Sequence, residues 1–242
     1  MKDSLIDILS LHDISITNEQ AEKFLLFKDL LIEWNKKINL TSIENDKDIF
    51  YKHFLDSLLC LKLGLNWNGK KVIDIGTGAG FPGVPLKIVL GDKINLNLFD
   101  SLQKRISYLE AIIEDLNLGS VSAVHGRAED FGRNNLFREK FDIVTARAVA
   151  KLPVLLEICL PFVKPNGYFI AMKGPDGLNE LSESSYALGE LGAELYLKKE
   201  FSLRDDEYTR LIFVFKKIKV MHHKYPRKSG IPQKKPLIKP NG

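Results

Sequence analysis

Apolar residues in the first part of the chain recur with the period of amphipathic helices. A capping box, in which Thr17 is followed three positions later by Gln20, starts one of these helices. Its apolar stripe contains Ala21, Phe24, Leu25, Leu31 and Trp34, and a second stripe over residues 49–63 contains Phe54, Leu58 and Leu61. We therefore expect residues 1–65 to form a helical extension that packs against a larger unit.

Beyond residue 70 the pattern changes to short apolar runs that are typical of buried strands. The predicted strands are 72–75, 94–99, 121–124, 141–145 and 168–172, and predicted helices cover 102–116, 151–163 and 178–192. Strands that alternate with helices at this spacing predict an α/β fold with a parallel, doubly wound sheet.

The last two strand-like runs have a different connection. Residues 193–203 and 209–217 are joined by the polar link 204–207, which is too short to contain a helix. These two runs are therefore expected to form an antiparallel hairpin that closes the sheet. The patterns divide the chain into the extension (1–65), an α/β domain (66–218) and a C-terminal tail (219–242) that packs on or beside the domain.

Composition excludes several classes of protein. The chain of 242 residues is 45% hydrophobic and 27% charged, as in ordinary globular proteins. No run approaches the roughly 20 apolar residues of a membrane span. The two cysteines, Cys60 and Cys159, both lie in apolar helical patterns. We therefore expect neither a zinc site nor a disulfide framework, and we expect a reducing, cytoplasmic compartment.

The net charge of +4 conceals an asymmetry along the chain. Residues 216–242 contain nine Lys or Arg and no acidic residue, which leaves 26 basic residues against 31 acidic ones before them. Residues 1–215 therefore carry a net charge of −5, and residues 216–242 carry +9. A basic tail on an acidic body favours a polyanionic partner such as nucleic acid, although a tail that is merely solvated has the same composition.

A glycine-rich loop at residues 74–83 follows the first predicted strand and precedes a helix. Gly76 and Gly78 allow the backbone to turn sharply and to approach a ligand closely. Asp100 ends the second strand, where its carboxylate can accept hydrogen bonds from ribose hydroxyls. The loop and the acid together predict a cofactor that contains a nucleoside.

The details of the loop bear on which cofactor it binds. The dinucleotide pattern G-x-G-x-x-G is met only from Gly78, two residues into the loop, and Pro82 removes an amide that a pyrophosphate would use. S-adenosylmethionine carries no phosphate. We therefore interpret the chain as a methyltransferase, and an NAD-dependent oxidoreductase is the less favoured alternative.

Several separated segments carry a more specific resemblance. They are residues 34–41, 53–58, 74–86, 100–102, 104–105, 127–130, 146–150, 172–174 and 225–228. With these segments the chain resembles the bacterial 16S ribosomal RNA guanine-N7 methyltransferases, the RsmG or GidB family. The resemblance covers nearly the whole chain and depends most on the Phe-Pro-Gly extension of the glycine loop and on the tail motif.

The resemblance implies a class I methyltransferase fold, Rossmann-like, with a mostly parallel seven-stranded sheet. It implies S-adenosylmethionine as cofactor and 16S ribosomal RNA, or the small ribosomal subunit, as partner. By the family pattern Gly76 and Phe81 line the cofactor site, Ala128 and Glu129 lie along its adenine side, and Arg147 lies beside the transferred methyl group. We expect a monomer without an obligate protein partner.

The residues after the fourth strand bear on the methyl acceptor. They lack the Asn/Asp-Pro-Pro-aromatic segment common in enzymes that methylate exocyclic amines, and Cys159 is better interpreted as a core residue than as a nucleophile. Guanine N7 has a free lone pair and loses no proton, so no general base is expected and Arg147 acts by positioning. The alternative for Arg147 is an ion pair with Asp142 or Glu129.

Several other residues are candidates for RNA contacts. The predicted phosphate contacts are Lys104, Arg105, Lys173, Arg227 and Lys228. His53 and Asp56, three positions apart, either face RNA or the cofactor or bond to each other within their helix. A methyltransferase for another RNA or a small molecule, and a catalytically silent RNA-binding module, remain as alternative functions.

Overall fold

The N-terminal part of the computed structural model, which describes residues 2–203 and 208–239, is helical almost throughout. Its elements are α1 (Lys2–Ser10), α2 (Asn18–Ile38), α3 (Asp46–Ile49), a π-helical segment (Phe50–Leu55), α4 (Asp56–Leu58) and a 3₁₀ turn (Leu59–Leu63). The capping box is confirmed: the Thr17 amide donates to Gln20 Oε1 at 2.9 Å, and the Gln20 amide donates to Thr17 Oγ1 at 3.1 Å.

Seven strands form one sheet in the order β3-β2-β1-β4-β5-β7-β6. They are β1 (Lys70–Ile75), β2 (Ile94–Asp100), β3 (Val121–His125), β4 (Phe141–Arg147), β5 (Val163–Lys173), β6 (Ala193–Leu203) and β7 (Tyr208–Lys217). The first five strands are parallel, and β7 pairs antiparallel with both β5 and β6. The predicted α/β class and hairpin are confirmed, while the link 204–207 lies outside the described residues.

The remaining helices lie between the strands and after them. They are α5 (Gly83–Leu90), α6 (Gln103–Asp115), α7 (Ala128–Phe131), α8 (Leu152–Cys159), α9 (Gly177–Ser182), α10 (Ser185–Leu191) and α11 (Ile231–Lys234). In the part of the chain that the structure describes, no helix is both long and apolar enough to cross a membrane.

The helix predicted over 178–192 is interrupted in the structure. The Ser184 hydroxyl donates to the Glu180 carbonyl at 2.7 Å, while the Ser184 amide turns to the Leu181 carbonyl at 3.0 Å. The side chain thus takes the acceptor that a continuing helix would give to the backbone. The prediction of one continuous helix here is wrong.

The sheet is covered on both faces because successive side chains of a strand point to opposite sides. Val72 and Leu96 share one core with α1, α2, α5 and α6, so the N-terminal helices belong to the same packed unit as the sheet. Ile73 and Phe99 face the opposite core, which contains α8, α10 and residues after β7. The division of the chain into three parts stays a prediction.

The residues after β7, here called the C-terminal segment (219–239), pack on the α8 face. The Arg138 guanidinium donates to the carbonyls of Tyr225 and Met221 at 2.8 and 2.9 Å, and Arg133 Nε donates to Pro226 at 2.8 Å. The described part of the tail is therefore held against the domain by its backbone carbonyls.

Candidate active site

A cleft of about 440 Å³, here called the first cleft, opens at the carboxyl ends of β1 to β4. Ligands of α/β sheets bind at this edge, where the strand order reverses, which is here between β1 and β4. The volume is in the range of sites for small molecules. Four predicted cofactor residues, Gly76, Asp100, Ala128 and Glu129, line it together.

The glycine loop bends around the end of β2. Gly76 and Gly78 have φ of +67° and +59°, a conformation that favours glycine. The Gly76 amide donates to the Phe99 carbonyl at 2.8 Å, and the Gly78 amide donates to Asp100 Oδ2 at 3.0 Å. A Cβ on Gly76 would lie 2.7 Å from a methyl group of Val149 across the cleft. The loop therefore requires glycine at this position for both conformation and space.

Asp100 is almost fully buried at the end of β2 and already accepts three hydrogen bonds. Its Oδ2 binds Gly78 and Arg105 Nη1 at 3.2 Å, and its Oδ1 binds the Leu102 amide at 3.0 Å. A carboxylate has about four acceptor positions, so one remains for a ribose hydroxyl. The Arg105 guanidinium, predicted as an RNA contact, lies within the protein's own ion pair, and its RNA role stays a prediction.

Asp74 supports the loop from beneath. Its buried carboxylate accepts hydrogen bonds from the hydroxyls of Thr77 at 2.6 Å and Thr145 at 2.8 Å, and from the Gly83 amide at 3.0 Å. Burial raises the pKa of Asp74 to about 6, although these bonds act in the opposite direction. Asp74 therefore joins β1, β4 and the start of α5 at one point.

Phe81 is buried behind the glycine loop. Its ring stacks on His53 with centroids 4.5 Å apart, and Arg147 Cζ lies 4.9 Å from its centroid. Phe27 packs on the same ring at 5.3 Å. These contacts make Phe81 the support of Arg147. Its predicted place along the cofactor stays a prediction.

Arg147, at the end of β4, is held by a cluster of polar groups. Its Nη1 donates to Asp56 Oδ2 at 2.8 Å and to the Lys52 carbonyl at 3.0 Å, and its Nη2 lies 3.2 Å from His53 Nδ1. Asp56 is fully buried and also accepts from Arg210 Nε and Nη2 at 2.5 and 3.0 Å. One carboxylate therefore opposes two guanidinium groups.

This cluster corrects two sequence-based alternatives. Arg147 does form an ion pair, but with Asp56 rather than with Asp142 or Glu129. Asp142 begins β4 at its opposite end, where two lysines contact it, so it lies too far along the strand. The alternative of a bond between His53 and Asp56 within their helix is replaced by contacts of both residues with the Arg147 guanidinium.

His53 is neutral in this arrangement. Burial, and then the positive charge of Arg147, lower the pKa of His53 from 6.5 to about 3. Because Nδ1 accepts from Arg147, the proton lies on Nε2, which donates to Thr41 Oγ1 at 2.9 Å. The π-helical segment carries both His53 and the Lys52 carbonyl to Arg147, as is common for such segments at functional sites.

A second cleft, of about 370 Å³, lies on the other side of the connection between β4 and α8. Val149 and Ala150 line the first cleft, while Arg147 and Ala148 line the second. Ala148 has a φ of +55°, which turns the chain between the two. The connection between β4 and α8 therefore contributes to the walls of both clefts.

Lys173 supports the same connection. Its Nζ donates to the Ala150 carbonyl at 2.9 Å and pairs with Glu180 at 2.7 Å, and Glu180 also accepts from the Leu152 amide at 2.6 Å. Lys173 thus holds the wall of the first cleft through Ala150. Its predicted RNA contact stays a prediction.

The remaining predicted RNA contacts differ in exposure. Lys104 and Lys228 are exposed. Arg227 instead places its guanidinium on the fully buried Glu157, with Nη2 and Oε2 2.6 Å apart. An arginine that compensates a buried carboxylate has a structural task, so for Arg227 an RNA contact stays a prediction that this geometry does not favour.

The sequence patterns did not identify some residues of the two clefts. Arg210 lines the second cleft, and Ser229, Gly230 and Gln233 line the first. The glycine loop is recognisable from its composition, whereas these four residues belong to no local sequence motif. Only the three-residue spacing of His53 and Asp56 offered a signal for the Arg147 cluster.

Comparisons with known proteins give a consistent result. The family described as "rRNA small subunit methyltransferase G" matches residues 20–206. The chain is 51% identical over 225 residues to a ribosomal RNA small subunit methyltransferase G of Alkaliphilus oremlandii, which covers 93% of this chain and 94% of that one. A protein of the same name from Desulfitobacterium hafniense is 49% identical and covers 93% of each chain.

Solved structures share the fold at low sequence identity. A SAM-dependent methyltransferase from Aquifex aeolicus has a TM-score of 0.54 at 19% identity and covers 76% of this chain and 97% of its own. A SAM-dependent O-methyltransferase from Thermotoga maritima has a TM-score of 0.52 at 18% identity, covering 79% of this chain and 72% of its own. The architecture is therefore that of class I methyltransferases.

Proposed function

Because the chain belongs to the rRNA small subunit methyltransferase G family, we propose that it transfers a methyl group from S-adenosylmethionine to N7 of a guanine in 16S ribosomal RNA. One observation carries the proposal: a cleft suited to a nucleoside cofactor and a cationic cleft meet at the connection between β4 and α8. The substrate would be the RNA itself or the small ribosomal subunit.

The residues of the first cleft fit S-adenosylmethionine. Asp100 has acceptor capacity for a ribose hydroxyl, Gly76 keeps the cleft open beside β1, and Ala128 and Glu129 form the wall beyond β3. When bound, the cofactor would supply an electrophilic methyl group on a sulfonium. We propose Gly76, Gly78, Asp100, Ala128 and Glu129 as the residues that hold it, with Phe81 behind them.

The second cleft has the charge that an RNA nucleotide needs. Arg147 and Arg210 share the single carboxylate of Asp56, and His53 is neutral, so the cluster keeps one positive charge. Guanidinium groups bind phosphate oxygens and guanine O6. This charge supports the second cleft as the place of the target guanine.

The protonation states support an acceptor that loses no proton. His53 Nδ1 is occupied by the Arg147 guanidinium, and its Nε2 already carries a proton, so this histidine is not a general base. An N7 lone pair requires no base. Arg147 then contributes by holding the guanine in line with the methyl group, and rate enhancement comes from positioning.

RNA affinity would come from exposed cations around the clefts. Lys104 and Lys228 are exposed, as are Lys219, Lys234 and Lys235 of the C-terminal segment. We propose that these lysines attract the phosphate backbone without reading its sequence. With this substrate the protein would act in the cytoplasm, and we expect it to act as a monomer.

The direct test is methyl transfer from labelled S-adenosylmethionine to small subunits that lack the modification, followed by nucleoside analysis. We expect label in 7-methylguanosine. Arg147→Gln should lower kcat by roughly 100-fold through lost positioning, whereas the exposed Lys140→Gln should act as wild type. Label in another nucleoside would show that the methyl acceptor is not guanine N7. Absence of transfer despite cofactor binding would refute the proposed substrate.

A further inference from the structure

The C-terminal segment contributes to the first cleft from a distant part of the sequence. Ser229, Gly230 and Gln233 line this cleft together with Asp100 and Glu129. On the premise of the proposed function, we propose that Gln233 binds the adenine of the cofactor through its side-chain amide, so that the segment forms one wall of the cofactor site. The basic tail therefore has a task besides RNA attraction.

The orientation of the cofactor follows from the order of the strands. The transferred methyl group has to face the second cleft, which lies on the β4 side. Asp100 at the end of β2 takes the ribose, so the base extends further, toward β3 and the residues that follow it. Glu129 lies in α7, which follows β3, and Gln233 lines the same cleft.

The chemistry of Gln233 suits a purine with an amino group. A glutamine amide offers one acceptor and two donor hydrogens on adjacent atoms. Adenine presents its 6-amino donor next to a ring-nitrogen acceptor, and Gln or Asn pairs with such an edge through two hydrogen bonds. Gln233 is exposed and lines the cleft, so its amide is accessible to this edge of a bound adenine.

The segment is held firmly enough to act as a wall. Glu157 of α8 is fully buried and accepts from the Arg227 amide at 2.8 Å, from Nε at 2.9 Å and from Nη2 at 2.6 Å. Val154 and Ile158 of the same helix line the cleft, so this anchor joins the segment to the cleft wall.

A second contact joins the C-terminal segment to a residue that itself lines the first cleft. The Gly230 amide donates to Glu129 Oε1 at 3.1 Å, which ties the start of α11 to the end of the cleft. Pro232 and Leu237 are buried on either side of Gln233 along the segment. Gln233 is thus presented by a preorganised backbone, which lowers the entropic cost of binding.

Calorimetric titration of the full-length protein tests this role. The probes are S-adenosylhomocysteine and its analogue with purine, which lacks the 6-amino group, in place of adenine. Wild type should bind the purine analogue roughly five-fold more weakly, the effect of one lost hydrogen bond. Gln233→Ala should weaken the binding of S-adenosylhomocysteine by a similar factor, and the variant should bind the two probes with equal affinity.

His223→Ala is the control, since it changes another residue of the C-terminal segment, which is exposed and does not line the cleft. It should bind both probes as wild type does. Equal wild-type affinities for the two probes, or a Gln233→Ala variant that keeps the wild-type ratio, would overturn the inference. A wild-type protein that binds neither probe would instead refute the proposed cofactor.

Discussion

Arg147 shares its ion-pair partner with a second arginine at this site. Its guanidinium shares Asp56 with Arg210, rests on the Phe81 ring and donates to a neutral His53. Asp56 is fully buried, and among the described residues these two arginines are its ion-pair partners. The arrangement leaves Arg147 with a fixed direction toward the second cleft, which is the property that positioning requires.

His53 makes stability depend on pH. Its pKa is lowered from 6.5 to about 3 in the folded protein, so between these values the unfolded chain binds a proton that the folded chain excludes. His53 therefore contributes stability above pH 6.5 that is lost as the pH falls toward 3. Between pH 7 and pH 5 this histidine lowers the free energy of unfolding by about 2 kcal/mol. We expect His53→Gln to abolish that decrease.

Urea denaturation at both pH values measures this difference. His223→Gln, which changes an exposed histidine, should lose stability in parallel with wild type. A His53→Gln variant whose loss between pH 7 and pH 5 equals that of wild type would show that His53 accepts a proton without penalty in the folded state.

Among the elements, the C-terminal segment differs most from the role that its composition indicates. Its seven basic residues and its lack of acidic ones predict an arm for a polyanion, yet Arg227 and Lys224 pair with Glu157 and Glu190 of the body. Lys217, just before the segment, pairs with Glu139 and is itself fully buried. Part of the basic charge therefore serves to dock the segment on the acidic body.

Arg227 is the element's strongest anchor. Arg227→Ala should lower the free energy of unfolding by about 3 kcal/mol, because Glu157 would keep a buried charge without its partner. Denaturation in urea measures this loss, and the exposed neighbour Lys228→Ala should change stability by no more than about 0.5 kcal/mol. If Arg227→Ala reduced RNA affinity but left stability intact, Arg227 would be an RNA contact as first predicted.

For the whole molecule, the clefts and the exposed lysines lie on a chain whose body is acidic. Association with RNA must therefore depend on local clusters of cations rather than on net charge. The exposed lysines of the C-terminal segment are such a cluster, and the inner side of the same segment lines the first cleft. Truncation after Lys217 should consequently impair cofactor binding as well as RNA binding.

Salt dependence separates the two tasks of the segment. Neutralising Lys228 and Lys235 with glutamine should lower the slope of log affinity for ribosomal RNA against log salt by about 1 to 2. Affinity for S-adenosylhomocysteine should not change, and this titration serves as the internal control. An unaltered slope would show that neither lysine neutralises a phosphate.

Local patterns in the sequence were enough for the strands, for most of the helices and for the cofactor loop. Strands such as β1 and β2 appear as short apolar runs, and the alternation with helices determines the class of the sheet. The glycine loop and Asp100 are recognisable because the backbone conformation and the end of a strand require those residue types locally. Gly76 and Asp100 line one cleft together with Ala128 and Glu129, which only the family resemblance indicated.

Only the tertiary structure decided which distant residues complete the site. Asp56, Arg147 and Arg210 come from the helical extension, β4 and β7, and Gln233 reaches the first cleft from beyond the last strand. A hydrophobic period states which side of an element is buried, but it does not state which other element covers that side. The sequence alone therefore determined the strands, most of the helices and the cofactor loop, whereas the path of the chain determined the partners of Asp56 and the contribution of Gln233 to the first cleft.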